Sequence, residues 1–350
     1  MRLQRLSNRI QMERDLGRFE YLIDDPFETF KRADDLRRKV VGDVVTFVVN
    51  RNINFTDICV GNCKFCSFRN RRRYLLTLEE IKKKVREALD YGCTEVCIQG
   101  GLLPKADLNF YISIIEAVRD VSDDIHIHAF SPMEIHHMAK NSGLSLSEVL
   151  KELKDAGLNS IPGTSAEILD DDVRRVICPK KISTQRWIEI VTTAHRLGIP
   201  STATMMFGHV EKWEHRIKHL LIIKEIQRRT GGFTEFIPLP FMGKNNELGK
   251  VVKPSSGFED LLVIAISRLI LHPEIKNVQA SWVKLGLKLA QVALCVGAND
   301  LGGTLIEENI SKSAGAVSGE FLPKEEMVRL IEGVGRIAKQ RDTLYRILDK

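Results

Sequence analysis

The chain has 350 residues, 43% hydrophobic and 28% charged, enough to bury a substantial core in one α/β barrel with additions or in two domains. Its formal charge of +6 is mild for the length and does not by itself imply nucleic acid. No apolar run reaches the roughly 18 residues of a spanning helix, and the charged, amphipathic start lacks the apolar centre of a secretory signal, so a cytoplasmic protein without membrane contact is predicted. Seven cysteines, three of them clustered, suit a reducing compartment better than a disulfide framework.

In chain order, residues 1–43 are predicted to be a helical N-terminal extension. The first convincing strand covers 44–55 and runs into NFTDICVGNCKFCSFRN, where Cys59, Cys63 and Cys66 have C-x3-C-x2-C spacing. Three thiolates so close in sequence can hold one cube-shaped iron-sulfur cluster and leave its fourth iron without a protein ligand. A structural zinc site would need a fourth ligand to close the tetrahedron, and no second pair with that spacing is present. A zinc knuckle and plain buried thiols are the alternatives. The run RNRRR from Arg69 to Arg73 follows directly. It reads as a solvated loop, as a docking edge for an acidic electron donor, or, without interleaved aromatics, as a poor RNA contact in a non-catalytic metal-binding module.

Beyond it, Thr77 with Glu80 forms a predicted capping box, and Gly92 ends that helix; Ser145 with Glu148 repeats the device ahead of Gly157. Further strands are predicted at 94–99, 125–130, 159–163, 201–207, 233–239, 277–282 and 291–297. Strand, helix, strand at such spacing is the rhythm of a parallel sheet, and about eight strands predict a closed (β/α)8 TIM-type barrel over 44–316. The segment from Pro323 is amphipathic at helical spacing, so 317–350 is predicted to be a C-terminal helix packed on the barrel.

Barrel chemistry sits at the C-terminal ends of the strands, which gives the motifs one address. Gln99-Gly100-Gly101 ends the second strand, either as an ordinary turn or as a backbone cradle for a ligand. His126 and His128 alternate along a strand and point to one side, as hydrogen-bonded core residues or as polar and proton-handling groups of a substrate chamber. Glu134 and Glu167 follow predicted strands and suit ribose or ammonium groups, or simply helix-start charges. Cys93, Cys97, Cys178 and Cys295 are predicted to be buried thiols.

The cysteine motif, with Phe65 directly before Cys66, resembles that of radical S-adenosylmethionine (SAM) enzymes. Together with CIQGGLLP, HIHAFSPMEI, PGTSAEILDDDVRRVICPKKIST, FTEFIPLPFM, NVQASWVKLG and GANDLGGTLIEENI, it is similar over about 50–316 to the large subunit of the synthase that makes the deazaflavin F0, precursor of coenzyme F420. The menaquinone-pathway (futalosine) radical SAM enzymes share part of this pattern and are the runner-up. The resemblance implies a 4Fe-4S cluster on Cys59, Cys63 and Cys66 and SAM held at the Gln99-Gly100-Gly101 turn; by their places on the strands, Glu134 and Glu167 are expected to join it in binding the cofactor and His126 and His128 to be catalytic. It also implies L-tyrosine and 5-amino-6-(D-ribitylamino)uracil as substrates, a separate radical SAM F0 synthase subunit, and an electron donor such as ferredoxin or flavodoxin. Ser165 departs from the small Ala or Gly more usual at its place.

Overall fold

The chain winds through parallel strands that return to the first. The structure, a computed structural model, describes Gly17, Phe19 and residues 21–315 and 319–348. The opening strand is interrupted at Val49 into β1 (Val44–Val48) and β2 (Asn50–Ile53). β2 pairs in parallel with β3 (Glu95–Ile98), and β3 with β4 (His126–Ala129). His128 then bridges to Ser160, and Ile161 to β5 (Ser201–Phe207), which pairs with β6 (Phe233–Pro240). Phe236 bridges to Val278 and Gln279 to β7 (Asp300–Gly303), whose partner is β1. Eight positions thus close into the expected barrel, two of them, at 160–161 and 278–279, reduced to bridges.

The helices between strands start where side chains can cap them. Thr77 and Glu80 form the predicted capping box on Leu78–Asp90, and Ser145 and Glu148 form another on Leu146–Asp155. Their inward stripes, such as Ile81, Val85 and Ala88, join one hydrophobic core with the barrel strands. In the N-terminal extension Tyr21–Asp24 and Pro26–Val41 are helical, the second capped by Asp25; residues 1–16, 18 and 20 lie outside the described residues.

Two expectations are corrected. The segment 291–297 is not a strand: Leu287–Ala293 is helical, and the eighth barrel strand is β7, a polar and glycine-rich run. A short apolar run such as QVALCV satisfies a buried helix as well as a strand. The C-terminal segment is likewise not one helix. Lys324–Glu332 is helical, but after Gly333 and Gly335 the chain extends into β8 (Ile337–Arg341), parallel to β1 over five residues. β8 takes the edge of β1 that β3 takes on β2, one storey lower. The residues after it turn under the ring and close its floor.

Candidate active site

The cysteine loop is tied down by its own ends. Buried Asp57 accepts backbone N–H groups of Arg72 (2.5 Å), Arg73 (3.1 Å) and Tyr74 (3.0 Å), and although burial opposes its charge these bonds hold its carboxyl below the usual range. Asn70 exchanges bonds with Cys59, donating Nδ2–H to its carbonyl (3.2 Å) and accepting its N–H (3.0 Å). Val60 N donates to Leu102 O and Lys64 N to Ile177 O. The backbone of RNRRR is therefore an anchor, while the side chains of Arg71, Arg72 and Arg73 stand exposed.

Under this loop lies a chamber of about 430 Å³, lined by Cys59, Cys63, Cys66, Gln99, Gly100, Gly101, Glu134, Glu167 and His128. His126 does not line it and sits one layer nearer the start of β4. The three thiols are free and partly exposed, and burial pushes the Cys63 thiol up to about 12 despite nearby Lys181. Among the described residues no three His, Cys, Asp or Glu side chains converge on one ion.

The Gln99–Gly101 turn packs directly against the cysteine loop. A Cβ on Gly101 would lie 2.3 Å from the Ile58 carbonyl oxygen, and one on Gly100 would lie 2.6 Å from the Phe55 ring. Both glycines therefore serve a close approach of protein to protein. Glu134, 2% exposed, accepts the N–H of Gly100 (3.1 Å) and both the N–H (2.7 Å) and hydroxyl (2.6 Å) of Ser131. Burial raises its pKa to about 7. It is at once a helix-start carboxylate and a brace for the glycine turn. Glu167, at φ 45°, pairs with Lys181, whose ammonium also lies over the Phe65 ring.

His126 and His128 face the same side, as alternation requires. His126 Nε2 and His128 Nδ1 each lie 2.7 Å from the Ser160 hydroxyl. Burial lowers both pKa values, that of His126 to about 4, with Glu95 pulling the other way. The one hydroxyl links both rings, donating to one and accepting from the other or accepting an N–H from each. Buried Glu95 accepts from Asn50 Nδ2 (2.8 Å) and Thr343 Oγ1 (2.6 Å); these bonds and the two histidines hold it below the usual carboxylate range against burial. Below, Arg341 binds Asp300 (2.6 and 3.1 Å) and stacks on Tyr345, whose hydroxyl donates to Glu235 (2.7 Å).

Asn50, Glu95, Lys181, Gln279, Lys284, Arg341 and Thr343 line the chamber without having been singled out from the sequence. Polar alternation in NRNIN was the available signal for Asn50 and Asn52; the residues after β8 had none. Of the other cysteines, Cys93 and Cys178 are buried, Cys97 is half-buried in the chamber wall, and Cys295 is exposed, against expectation, because its segment is a helix end and turn rather than a core strand.

Comparison with known proteins follows the same outline. Residues 53–223 match the radical SAM superfamily, and residues 230–350 match the CofH/MqnC C-terminal region. The barrel resembles that of methylornithine synthase (PylB), with TM-score 0.71 and 18% identity over 89% of this chain and 88% of that one. It also resembles the FeFe-hydrogenase maturase HydG from Carboxydothermus hydrogenoformans, with TM-score 0.73 and 15% identity over 97% of this chain and 82% of that one. In sequence it is 69% identical to a protein of Archaeoglobus fulgidus over 94% of this chain and 96% of that one, and 58% identical to one of Methanocaldococcus jannaschii over 92% and 93%. Both are named 5-amino-6-(D-ribitylamino)uracil--L-tyrosine 4-hydroxyphenyl transferase. The chain belongs to this transferase family within the radical SAM superfamily.

Proposed function

We propose that the chain is a radical SAM transferase of F0 formation, cleaving the Cα–Cβ bond of L-tyrosine and adding the 4-hydroxybenzyl group to 5-amino-6-(D-ribitylamino)uracil, with release of 2-iminoacetate, methionine and 5'-deoxyadenosine. The observation that carries this reading is the shared chamber, where three free thiols, a glycine turn braced by a buried carboxylate, and a polar floor face one another in a chain of this family. When bound, a 4Fe-4S cluster with SAM supplies one-electron cleavage of the sulfonium and an acceptor for a substrate hydrogen atom.

The residues present fit that cofactor. Cys59, Cys63 and Cys66 are unpaired, sit on a loop whose ends are fixed, and all line one chamber, with the three-thiolate donor set that such a cluster takes. They would hold the cluster. The Gln99–Gly101 backbone, Glu134 and Glu167 would hold the amino and ribose groups of SAM, and His126 and His128 would hydrogen-bond substrate through the chain that Ser160 links. With one C-x3-C-x2-C motif, the chain leaves closure of the deazaflavin ring to a separate radical SAM subunit.

Anaerobic reconstitution with iron and sulfide, followed by product analysis with L-tyrosine plus diaminouracil and separately with futalosine-type substrates, tests this reading. It expects coupled product only from the first pair. Cys59→Ala, Cys63→Ala and Cys66→Ala should lose iron and SAM cleavage, while Cys93→Ala and Cys178→Ala keep both. The exposed arginines beside the loop suit an acidic protein reductant, with ferredoxin or flavodoxin chemistry; replacing Arg71, Arg72 and Arg73 with Glu should slow turnover with such a donor and leave the dithionite-driven rate unchanged.

A further inference from the structure

We infer that Lys284, together with Gln279, is the clamp for the amino-acid substrate: the Lys284 ammonium takes the α-carboxylate of L-tyrosine and the Gln279 side-chain oxygen takes an N–H of its amino group. The inference rests on the proposed transferase reading and adds to it the residues that select an amino acid.

The chamber cations differ in what occupies them. Arg69 donates to the Gly61 carbonyl, Lys181 pairs with Glu167, Arg341 pairs with Asp300, and Lys180 stands exposed. Lys284 is half-buried in the chamber wall, and its ammonium has neither a hydrogen-bond nor an ion-pair partner among the described residues. The acids closest to it electrostatically are already engaged. Glu308 accepts from Asn52 Nδ2 (2.6 Å) and from Ser311 N (2.6 Å), and Glu167 holds Lys181. An interior ammonium without a counter-ion is costly, and a ligand carboxylate removes that cost.

A second observation is independent of charge. Gln279 is 9% exposed, lines the same chamber, and its Oε1 is buried without a hydrogen-bond partner. A buried unpaired acceptor suits a ligand that brings a donor. Gln279 and Ser281 alternate on the seventh barrel position, and Lys284 follows in the short helix Trp282–Leu285. Beside them, Leu239, Phe241 and Val283 give the wall an apolar stretch suited to a phenol ring.

Two carboxylates enter the reaction, those of SAM and of tyrosine. The cysteine loop, the glycine turn, Glu134 and Glu167 all follow the first four barrel positions, so the residues suited to SAM occupy one side. Lys284 and Gln279 come from the seventh, which assigns them to the other ligand.

The test uses reconstituted holoenzyme, kept anaerobic, and equilibrium dialysis with L-tyrosine and with tyramine, which lacks the carboxylate, alongside SAM binding and iron content. Wild type should bind L-tyrosine at least ten-fold more tightly than tyramine. Lys284→Met should weaken L-tyrosine at least ten-fold, leave tyramine unchanged and so abolish the discrimination, with iron and SAM binding intact; Lys284→Arg should recover most of the difference. Gln279→Leu should weaken both amines. Equal loss of tyrosine and tyramine in Lys284→Met, unchanged tyrosine binding, or loss of SAM binding instead would overturn the assignment. If wild type binds neither tyrosine nor the diaminouracil and forms no coupled product, the transferase reading itself fails.

Discussion

Gly101 separates two reasons for a glycine. Its place after a strand suggested a cradle for a ligand, yet its absent Cβ makes room for the backbone of Ile58 and for Cys59, 3.0 Å from where that carbon would stand. Gly101→Ala should push the cysteine loop outward and lower iron and sulfide per chain to less than half of wild type; full loading would mean that the loop yields without cost. The histidine pair was legible by alternation, but its link through Ser160 was not, because a strand reduced to a bridge leaves little pattern. Removing a hydrogen bond to a buried substrate costs about 1 to 3 kcal/mol, so His128→Ala, which opens on the chamber, should cut coupled product about 5- to 150-fold with normal iron. His126→Ala should act less strongly, through Ser160. Normal turnover in both variants would make them core residues.

At the scale of elements, helix starts and most strands could be read from the chain, since capping boxes and β-branched alternation are local signals. What escaped were elements whose identity depends on distant partners. β7 is held by β1 and by Gln279, and DLGG carries no strand signature of its own. Glu211, at the end of the turn after β5, shows how such turns are secured. It accepts N–H bonds from Gly208 (2.6 Å) and His209 (2.9 Å) and pairs with Arg216 (2.6 Å) on the following helix. Although burial opposes its charge, these partners hold its pKa far below the usual carboxylate value. A depressed folded-state pKa means that the stabilisation is complete above the unfolded-state value of about 4.5 and is lost as pH falls through the folded one. Glu211→Gln should therefore destabilise by about 3 kcal/mol at pH 7, with the gap to wild type closing below about pH 4.5. A gap that stays constant from pH 7 to pH 3 would show that the carboxylate charge contributes nothing.

For the whole molecule, the C-terminal segment decides whether the barrel is closed below. No helix among the described residues is long and apolar enough to cross a membrane, and Arg341 and Thr343 of this segment line the chamber. A helical period that runs through 323–332 hides the extended chain after Gly333 and Gly335, where IAKQR shows no clear alternation. Arg341, 2% exposed, binds Asp300, lies over the Tyr345 ring at 3.9 Å and stands 3.7 Å from Glu235. Arg341→Met fills similar volume but leaves two buried carboxylates without their cation, a loss of about 3 to 5 kcal/mol. For a chain of this size that corresponds to a fall of roughly 4 to 7 °C in Tm. The cysteines lie at the opposite end of the strands, so iron loading at a permissive temperature should match wild type. A segment packed on the outside of the barrel would instead tolerate the change with a shift of a degree or less, and that result would remove β8 from the barrel floor.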